Sequence, residues 1–479
     1  MRFLPPGHFR TAAAFAARLA ELGIDFGCDE AVTANGPLSQ PIQLCGKRLD
    51  NRFCAHPMEG WDGSAHGSPS AHTLRRWRNF GRSGAALIWG GEAFAVREDG
   101  KANPRQLCLH DDSERDLANL LRELRLGRSE VGASPDGALV GLQLTHSGRF
   151  SRPHGPFAPR IAQRHSLLER RYALPEGTQP MTDAELEAIG EDYVRAAIVA
   201  HLAGFDFVDI KCCHGYLLHE VLASKTRNGS YGGESLSSRM RLFERIVAAV
   251  RAACPSLHIG VRLSAADAGP FHKDPTTGRG VAMTEAGVAI EQHTFGYLPD
   301  ADARALDLRE AEAFLRRCVE LEIETANITL GSPYWNPHLQ RPAAYPPSDG
   351  YQPPDDPLRF VATHVRATRQ LAAAVPQMAL VGTGYTYLQE WLPHVAQHVV
   401  GRGDAAFVGL GRMLLSYPEL ADDVLHGRPM QQRRLCRTFS DCTTAPRNGM
   451  ISGCFPLDPY YKAMPEAERM KQLKKEMRT

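Results

Sequence analysis

Three polar side chains with complementary chemistry lie within one short run, Asp209-Ile-Lys-Cys-Cys-His-Gly-Tyr. Lys211 and His214 are three residues apart where an apolar run passes into a turn, so their side chains can converge on one cavity, and Tyr216 follows on that turn. An ammonium and an imidazole can stabilise negative charge on an oxygen, and a phenol can supply a proton. The alternative is a solvated strand-end lysine beside a hydrogen-bonded core histidine.

Other apolar runs also carry isolated polar side chains. Gln143 offers both a donor and an acceptor, although backbone groups could satisfy it instead. Arg262 lies in an apolar run that rarely holds a buried arginine without a partner. The motifs Val381-Gly-Thr-Gly384 and Gly409-Leu-Gly-Arg412 place glycine N–H groups beside a guanidinium. Together they predict a phosphate site.

Eight short apolar runs must position these side chains, and helical patterns separate most of them. The predicted strands are Arg52–Ala55, Ala85–Trp89, Leu139–Leu144, Phe207–Lys211, Ile259–Leu263, Thr325–Leu330, Met378–Val381 and Ala406–Gly409. The clearest predicted helices are Asp183–Leu202, with a Thr182/Glu185 capping box, Leu236–Ala253, Glu310–Leu321 and Leu358–Ala374. This alternation predicts an α/β fold, a (β/α)8 TIM barrel, and a doubly wound open sheet is the alternative architecture.

The barrel is expected to carry additions at both ends. We predict an N-terminal helical extension over residues 1–45, a barrel over 46–430 and a C-terminal cysteine-containing tail over 431–479. In the first of these, Phe9–Leu22 has the pattern of one amphipathic helix. Two long loops, 264–305 and Pro333–Pro357, are expected to form the pocket wall.

The run Asp209–His219, the loop Arg227–Gly233 and the segment Ser238–Arg241 together resemble the fourth-strand signature of the old yellow enzyme family. The resemblance covers residues 40–430 and implies a barrel that binds FMN, takes hydride from NAD(P)H and reduces an activated alkene such as an enone or enoate. It implies that Lys211 and His214 hold the substrate oxygen and that Tyr216 delivers the proton. Lys211 departs from the family, which usually has histidine there. A lysine favours an anionic substrate, or pairs with an acid such as Glu59.

The same resemblance assigns cofactor contacts along the other strands. Asn51–Met58 resembles the first-strand segment that lies against the flavin, and Gly90–Ala93 resembles the end of the second strand. Glu59, where relatives have threonine or cysteine, should lower the flavin reduction potential unless it faces solvent or Lys211, whereas Arg262 should raise it. The expected cofactor-binding residues are Pro57, Met58, Glu59, Ala93, Gln143, Arg262, Gly382, Gly384, Gly411 and Arg412.

Three cysteines near the C-terminus, Cys436, Cys442 and Cys454, have a spacing similar to the iron–sulfur segment of a longer branch of that family. Phe439 stands where the second cysteine of that segment is expected. Because a cubane cluster normally takes four thiolates, we expect free or structural cysteines ahead of a bound cluster or zinc.

Composition indicates an ordinary soluble enzyme acting on a small molecule. Of 479 residues, 43% are hydrophobic and 23% charged, and the net charge of +1 indicates neither a nucleic-acid nor a membrane partner. The N-terminus lacks the apolar core of a secretory signal, no apolar run approaches the roughly 20 residues of a membrane span, and eleven cysteines show no disulfide framework. We expect a cytoplasmic location, and the sequence leaves a homo-oligomer open.

Two other functions use the same residues. An FMN-dependent dehydrogenase or demethylase would run in the oxidative direction, which a low-potential flavin beside Glu59 would favour. A cofactor-free lyase or isomerase would use the glycines and Arg412 to bind a phosphorylated metabolite. A chain that only binds a ligand is a further alternative.

Overall fold

The barrel is closed by parallel strand pairing in the computed structural model, which describes residues 3–299 and 305–476. Its strands are β1 (Phe53–Ala55), β2 (Leu87–Ile88, continued by Ala93–Ala95), β3 (Leu139–Thr145), β4 (Phe207–Ile210), β5 (His258–Ser264), β6 (Thr325–Thr329), β7 (Ala379–Gly382) and β8 (Phe407–Leu410). Strand β8 pairs with β1, which places Val408 opposite Phe53, and β2 pairs with β3. The predicted (β/α)8 barrel is therefore confirmed, and the open sheet is excluded.

Helices cover the outside of this barrel. They are Ala71–Arg82, Ser113–Glu130, Asp183–Ala203, Leu236–Ala253, Arg309–Glu320, Pro357–Ala374 and Leu392–Gly401, with Arg412–Ser416 and Leu420–Leu425 after β8. The predicted capping box forms, because the Thr182 hydroxyl accepts from the Glu185 N–H at 3.2 Å and the Glu185 carboxylate accepts from the Thr182 N–H at 2.7 Å. Within the described ranges, every helix is too short or too polar to traverse a lipid bilayer.

The N-terminal extension forms the predicted helix in shortened form. It runs over Ala12–Glu21 and starts after Thr11, whose hydroxyl accepts from the Ala14 N–H at 3.2 Å. Phe15 is fully buried and stacks on Trp391 with ring centroids 5.0 Å apart. The apolar face of the helix therefore packs on the barrel.

A short antiparallel hairpin, Ile42–Leu44 with Lys47–Leu49, closes the amino-terminal end of the barrel. Leu44 and Leu49 pack with the interior side chains Trp89, Phe207 and Phe407 in one buried cluster. Since this end is filled by side chains, a ligand must enter at the carboxyl ends of the strands.

The C-terminal tail folds over the carboxyl end of the barrel. Its helices are Asp441–Arg447, Pro459–Lys462 and Glu466–Glu476. Arg75, on the first barrel helix, donates to both carboxylate oxygens of Asp458 at 2.8 and 3.0 Å. The Trp61 N–H donates to the Ser452 hydroxyl at 3.0 Å. These contacts fix the tail beside the barrel mouth.

Candidate active site

A cavity of about 300 Å³ opens at the carboxyl ends of the strands and brings the sequence-predicted site residues together. The predicted residues that line it are Pro57, Met58, Glu59, Ala93, Gln143, Lys211, His214, Tyr216, Arg262, Gly384, Gly411 and Arg412. Gly382 lies outside the lining, one residue before Thr383, which contributes to it. Residues from nearly every strand end therefore meet at one site.

The walls of the cavity differ from the sequence expectation in one respect. Of the two long loops, the segment after β6 contributes Pro333, Tyr334, Gln340 and Arg341, whereas no described residue of 264–305 lines the cavity. Residues of the C-terminal tail, between Cys442 and Tyr461, form this part of the cavity wall. The loop after β5 instead forms a ribbon, Phe271–Lys273 with Gly280–Ala282, so the expected role in the wall was wrong for its described residues, and residues 300–304 lie outside the described ranges.

A buried carboxylate beneath the cavity orients Gln143. Asp209 on β4 accepts hydrogen bonds from Gln143 Nε2 at 2.6 Å, Trp89 Nε1 at 2.8 Å and the Arg262 backbone N–H at 2.7 Å. Because Asp209 accepts from the Gln143 amide nitrogen, the Gln143 carbonyl oxygen is left as an acceptor for an N–H group in the cavity. Burial raises the pKa of Asp209 to about 6. Asp209 was part of the predicted motif, but its sequence context gave no role for it.

Two arginines carry buried nitrogens that lack a hydrogen-bond partner among the described residues. Arg262 is 5% exposed, its Nη1 lies 3.4 Å from the Pro57 carbonyl, and its Nε has no partner. Arg412 donates through Nη2 to the Pro342 carbonyl at 2.8 Å, and its Nη1 has no partner. Buried donors of this kind are costly unless a ligand satisfies them.

The geometry around Arg412 suits an anion such as phosphate. Arg341, which sequence reasoning missed, donates to the Thr443 hydroxyl and lines the same part of the cavity. Burial, followed by repulsion from Arg412, lowers the pKa of Arg341 to about 9. Gly409 has no room for a side chain, since a Cβ there would lie 2.0 Å from the His56 ring. Two guanidinium groups next to closely approaching backbone fit the phosphate of FMN.

The buried side chain of Lys211 lines the cavity. It is 4% exposed, and its Nζ lies 3.7 Å from the centre of the Tyr216 ring. Lys211 makes no hydrogen bond and no salt bridge within the described part of the chain, and burial lowers its pKa. The predicted alternative of a pairing with Glu59 is thus not seen at contact distance, and a ligand oxygen could complete the site.

His214 is a neutral imidazole in a constrained position. Its φ is +66°, and its backbone N–H donates to the Ser264 hydroxyl at 2.9 Å. Burial, then the charges of Arg262 and Lys211, hold the pKa of His214 well below its ordinary value. Its Nε2 lies 3.2 Å from the amide nitrogen of Gln340, another residue missed from the sequence. Donation from His214 Nε2 to a substrate therefore requires Gln340 to move or to rotate its amide.

Glu59 belongs to the hydrogen-bond network of Tyr216. Its carboxylate accepts from the Tyr216 hydroxyl, from Trp61 Nε1 at 3.1 Å and from Asn103 Nδ2 at 3.3 Å. The hydroxyl of Tyr334 lies 2.7 Å from that of Tyr216. Burial, and then the negative charge of Glu59, raise the pKa of Tyr216 well above its ordinary value. Glu59 thus acts on the candidate proton donor, which the sequence did not predict.

The three C-terminal cysteines supply fewer ligands than a cubane cluster needs. Cys436 and Cys454 are buried, and Cys442 lines the cavity. Burial, and then the neighbouring Cys436 and Cys442, raise the pKa of Cys454 well above its ordinary value. Phe439 stands where the second cysteine was expected, and its ring lies 5.6 Å from the Tyr345 ring. Three thiols do not fit a four-thiolate cluster.

The fold and the cavity define a (β/α)8 barrel with a candidate active site at the carboxyl ends of its strands. The chain belongs to the NADH:flavin oxidoreductase / NADH oxidase family, whose model matches residues 37–293. This is the old yellow enzyme family that the sequence motifs resemble, and membership implies FMN and NAD(P)H as cofactors.

Comparison with known proteins supports the same grouping. An NADPH dehydrogenase from Geobacillus sp. (strain WCH70) is 31% identical over 244 residues, covering 49% of this chain and 64% of the relative. The chain thus matches less than two thirds of that relative's length. The old yellow enzyme homologue from Zymomonas mobilis has a similar fold, with a TM-score of 0.54 at 18% identity over 82% of this chain and 94% of that one.

A second structural likeness covers more of this chain. A 2-naphthoyl-CoA reductase in complex with 2-naphthoyl-CoA covers 90% of this chain and 58% of its own, with a TM-score of 0.64 at 17% identity. At this identity the likeness shows the fold alone.

Proposed function

We propose that the chain is an FMN-dependent oxidoreductase that uses NAD(P)H to reduce activated alkenes. The observation that carries the proposal is the presence in one cavity of three cationic groups with unsatisfied nitrogens, on Lys211, Arg262 and Arg412. Unpaired buried donors call for a ligand with acceptors at matching places. A flavin phosphate, a flavin ring edge and a substrate oxygen meet that requirement.

The proposed cofactor contacts follow the cavity from end to end. Arg412, with the backbone at Gly384 and Gly411, would hold the phosphate, and Gly382 would shape the turn behind it. Arg262 and Gln143 would face the polar edge of the ring, while Pro57, Met58 and Ala93 supply the close backbone. When bound, FMN would supply hydride transfer from the nicotinamide to the substrate carbon.

The substrate contacts follow from the remaining polar groups. The Lys211 ammonium would hold the oxygen of a carbonyl or carboxylate and stabilise negative charge on it, with His214 as the second donor once Gln340 has moved. A full positive charge in a buried site favours an anionic group, so we expect enoates to be better substrates than neutral enones. Tyr216 would deliver the proton to the adjacent carbon.

One observation favours the oxidative direction as a second candidate. The Tyr216 hydroxyl donates to the Glu59 carboxylate, an arrangement that can also take up a proton from a substrate. In that case the enzyme would remove hydride and a proton from an amine or alcohol. Both directions use the same residues, so substrate turnover has to separate them.

The test begins with the purified full-length chain. We expect bound flavin, reduction of that flavin by NADPH or NADH, and reoxidation by an enoate in a separate anaerobic step. Tyr216→Phe should slow reoxidation by about 10²- to 10⁴-fold without slowing flavin reduction. The matched control is Tyr387→Phe, which removes a buried hydroxyl that has no hydrogen-bond partner.

Two results would count against the proposal. Protein that remains colourless and binds no added FMN would leave the cofactor-free lyase or isomerase as the better assignment. Reduction of oxidised enzyme by N-methylated amines, with no reoxidation by enoates, nitroalkenes or enones, would favour the oxidative direction.

A further inference from the structure

A second group of metal-ligating side chains lies at the opposite, amino-terminal end of the barrel. Cys45, His258 and Glu324 each offer one ligand atom, and these atoms all lie within 4.8 Å of one another. None of the three lines the cavity at the carboxyl end. The group is therefore separate from the candidate active site.

Three different elements bring these ligands together. Cys45 forms the turn of the hairpin that closes the barrel, His258 is the first residue of β5, and Glu324 directly precedes β6. The backbone fixes the two strand residues, because the His258 N–H donates to the Asp206 carbonyl at 3.1 Å and the Glu324 carbonyl accepts from the Ala379 N–H at 2.9 Å. Strand pairing therefore holds the backbones of His258 and Glu324 at this end of the barrel.

The ligands are already held close to one another. The Cys45 backbone N–H donates to Glu324 Oε2 at 3.1 Å, and Glu324 Oε1 lies 3.7 Å from His258 Nδ1. The thiol is buried at 7% exposure, whereas the side chains of His258 and Glu324 are 41% and 49% exposed. A cation can therefore reach the site from solvent while the sulfur stays in low-dielectric surroundings.

Cys45 occupies an unusual backbone conformation. Its φ is +50° and that of Gly46 is +68°, so both central residues of the hairpin turn are left-handed. Asparagine, aspartate and glycine are the residues that favour the first of these positions. A cysteine there carries a conformational cost, and strain of this kind is often retained where a side chain has a function.

We propose that Cys45, His258 and Glu324 bind a zinc ion, with water as the fourth ligand. Thiolate, imidazole and carboxylate are the ligand types of tetrahedral zinc sites, whereas calcium and magnesium require oxygen ligands. The thiolate and the carboxylate together balance the charge of the ion, and binding releases the thiol proton. Asp206 is not a ligand, since it accepts from the Val140 N–H at 2.7 Å and pairs with Lys47 at 3.5 Å.

The expected role of this metal is structural. One ligand comes from the hairpin and two come from the wall formed by β5 and β6, so the ion would tie the closing hairpin to the barrel. The chemistry of such barrels takes place at the other end. The inference does not depend on the proposed function, and the two can fail separately.

The test uses the full chain as purified. After removal of metals by a chelator, the protein is dialysed against micromolar zinc, and bound metal is measured by mass spectrometry. We expect about one zinc ion per chain. Cys45→Ser and His258→Ala should lower the bound zinc at least about tenfold, and Glu324→Gln, which keeps an acceptor for the Cys45 N–H, should weaken binding.

Cys442→Ser provides the matched control, because it removes a cysteine from the C-terminal group and should leave zinc binding unchanged. Cobalt offers a second readout, a thiolate-to-metal absorption band in the difference spectrum that Cys45→Ser abolishes. A cooperative thermal unfolding transition shows whether each variant is folded, and the half-exposed His258→Ala provides the decisive measurement if Cys45→Ser does not fold. Absence of zinc from the unmodified protein, its retention by His258→Ala, or its loss from Cys442→Ser would overturn the proposal.

Discussion

The hydroxyl of Tyr216 donates to the carboxylate of Glu59, a residue 157 positions earlier in the chain. Tyr334 lies on the other side of the same hydroxyl at 2.7 Å. The candidate proton donor is therefore held between an acceptor and a second phenol. Because the negative charge of Glu59 opposes ionisation of Tyr216, it helps to keep the phenol protonated.

Replacing Glu59 by glutamine tests this relationship. Glu59→Gln keeps an acceptor for Tyr216 but removes the charge, so the pKa of Tyr216 should fall. The proposed alkene reduction needs the protonated phenol and should be lost as pH rises through its pKa. As pH is raised, the rate of flavin reoxidation should therefore begin to fall at a lower pH in the variant than in the unmodified chain. Trp61→Phe, which removes a neutral hydrogen bond to Glu59 and leaves the charge of Glu59 in place, is the control. If the pH dependence of reoxidation is the same in Glu59→Gln, the assignment of Tyr216 as a proton donor influenced by Glu59 is contradicted.

Loss of the buried ammonium should affect substrate reduction alone. In Lys211→Met, reoxidation of the reduced enzyme by an enoate should slow by about 10²-fold, because the charge developing on the substrate oxygen loses its donor. Flavin reduction by NAD(P)H should change little. Lys471→Met, on the exposed helix of the tail, serves as the control. An equal effect on both half-reactions would show that Lys211 acts on the cofactor instead.

Most of the fold could be predicted from patterns among residues that are close together in the sequence. Seven of the eight strands differ from prediction by at most one residue at either end, the exception being β2, and the Thr182/Glu185 capping box needed only neighbouring residues. Strand β2 breaks after Ile88 at Gly90 and Gly91, whose φ values are +113° and +52°. Periodicity does not reveal such a break.

The unpredicted parts of the site depend on contacts between distant segments. Gln340 and Arg341 lie at the end of the four-residue helix Pro337–Gln340, which is too short for a sequence pattern to indicate which way a side chain points. The tail was treated as a separate extension, yet Asp458 binds Arg75 across 383 positions and places Tyr461 in the cavity wall. Only tertiary packing determines these neighbours.

The proposed phosphate contact can be measured without turnover. Arg412→Ala should weaken FMN binding by about 10- to 100-fold, the usual cost of losing a hydrogen bond to a charged group. The dissociation constant, obtained by titrating flavin-free protein and following flavin fluorescence, gives the effect directly. Arg316→Ala, which breaks only an exposed pair with Glu312, should leave the constant unchanged. An unaltered dissociation constant for FMN in Arg412→Ala would show that the phosphate binds elsewhere in the cavity.

Asp267 should make the protein less stable as pH rises. The residue is 1% exposed, lies 3.2 Å from His219 Nε2, and burial raises its pKa to about 8. An unfolded aspartate has a pKa near 3.9, so the native state binds the extra proton. This contribution is complete below about pH 4 and is lost as pH rises to about 8, at roughly 1.4 kcal/mol for each unit crossed. Asp267→Asn cannot ionise but still offers His219 an acceptor. In denaturant titrations between pH 4 and 8, the free energy of unfolding of the variant, relative to that of the unmodified chain, should therefore increase with pH. If the two free energies of unfolding change with pH in parallel, Asp267 is ionised in the folded protein.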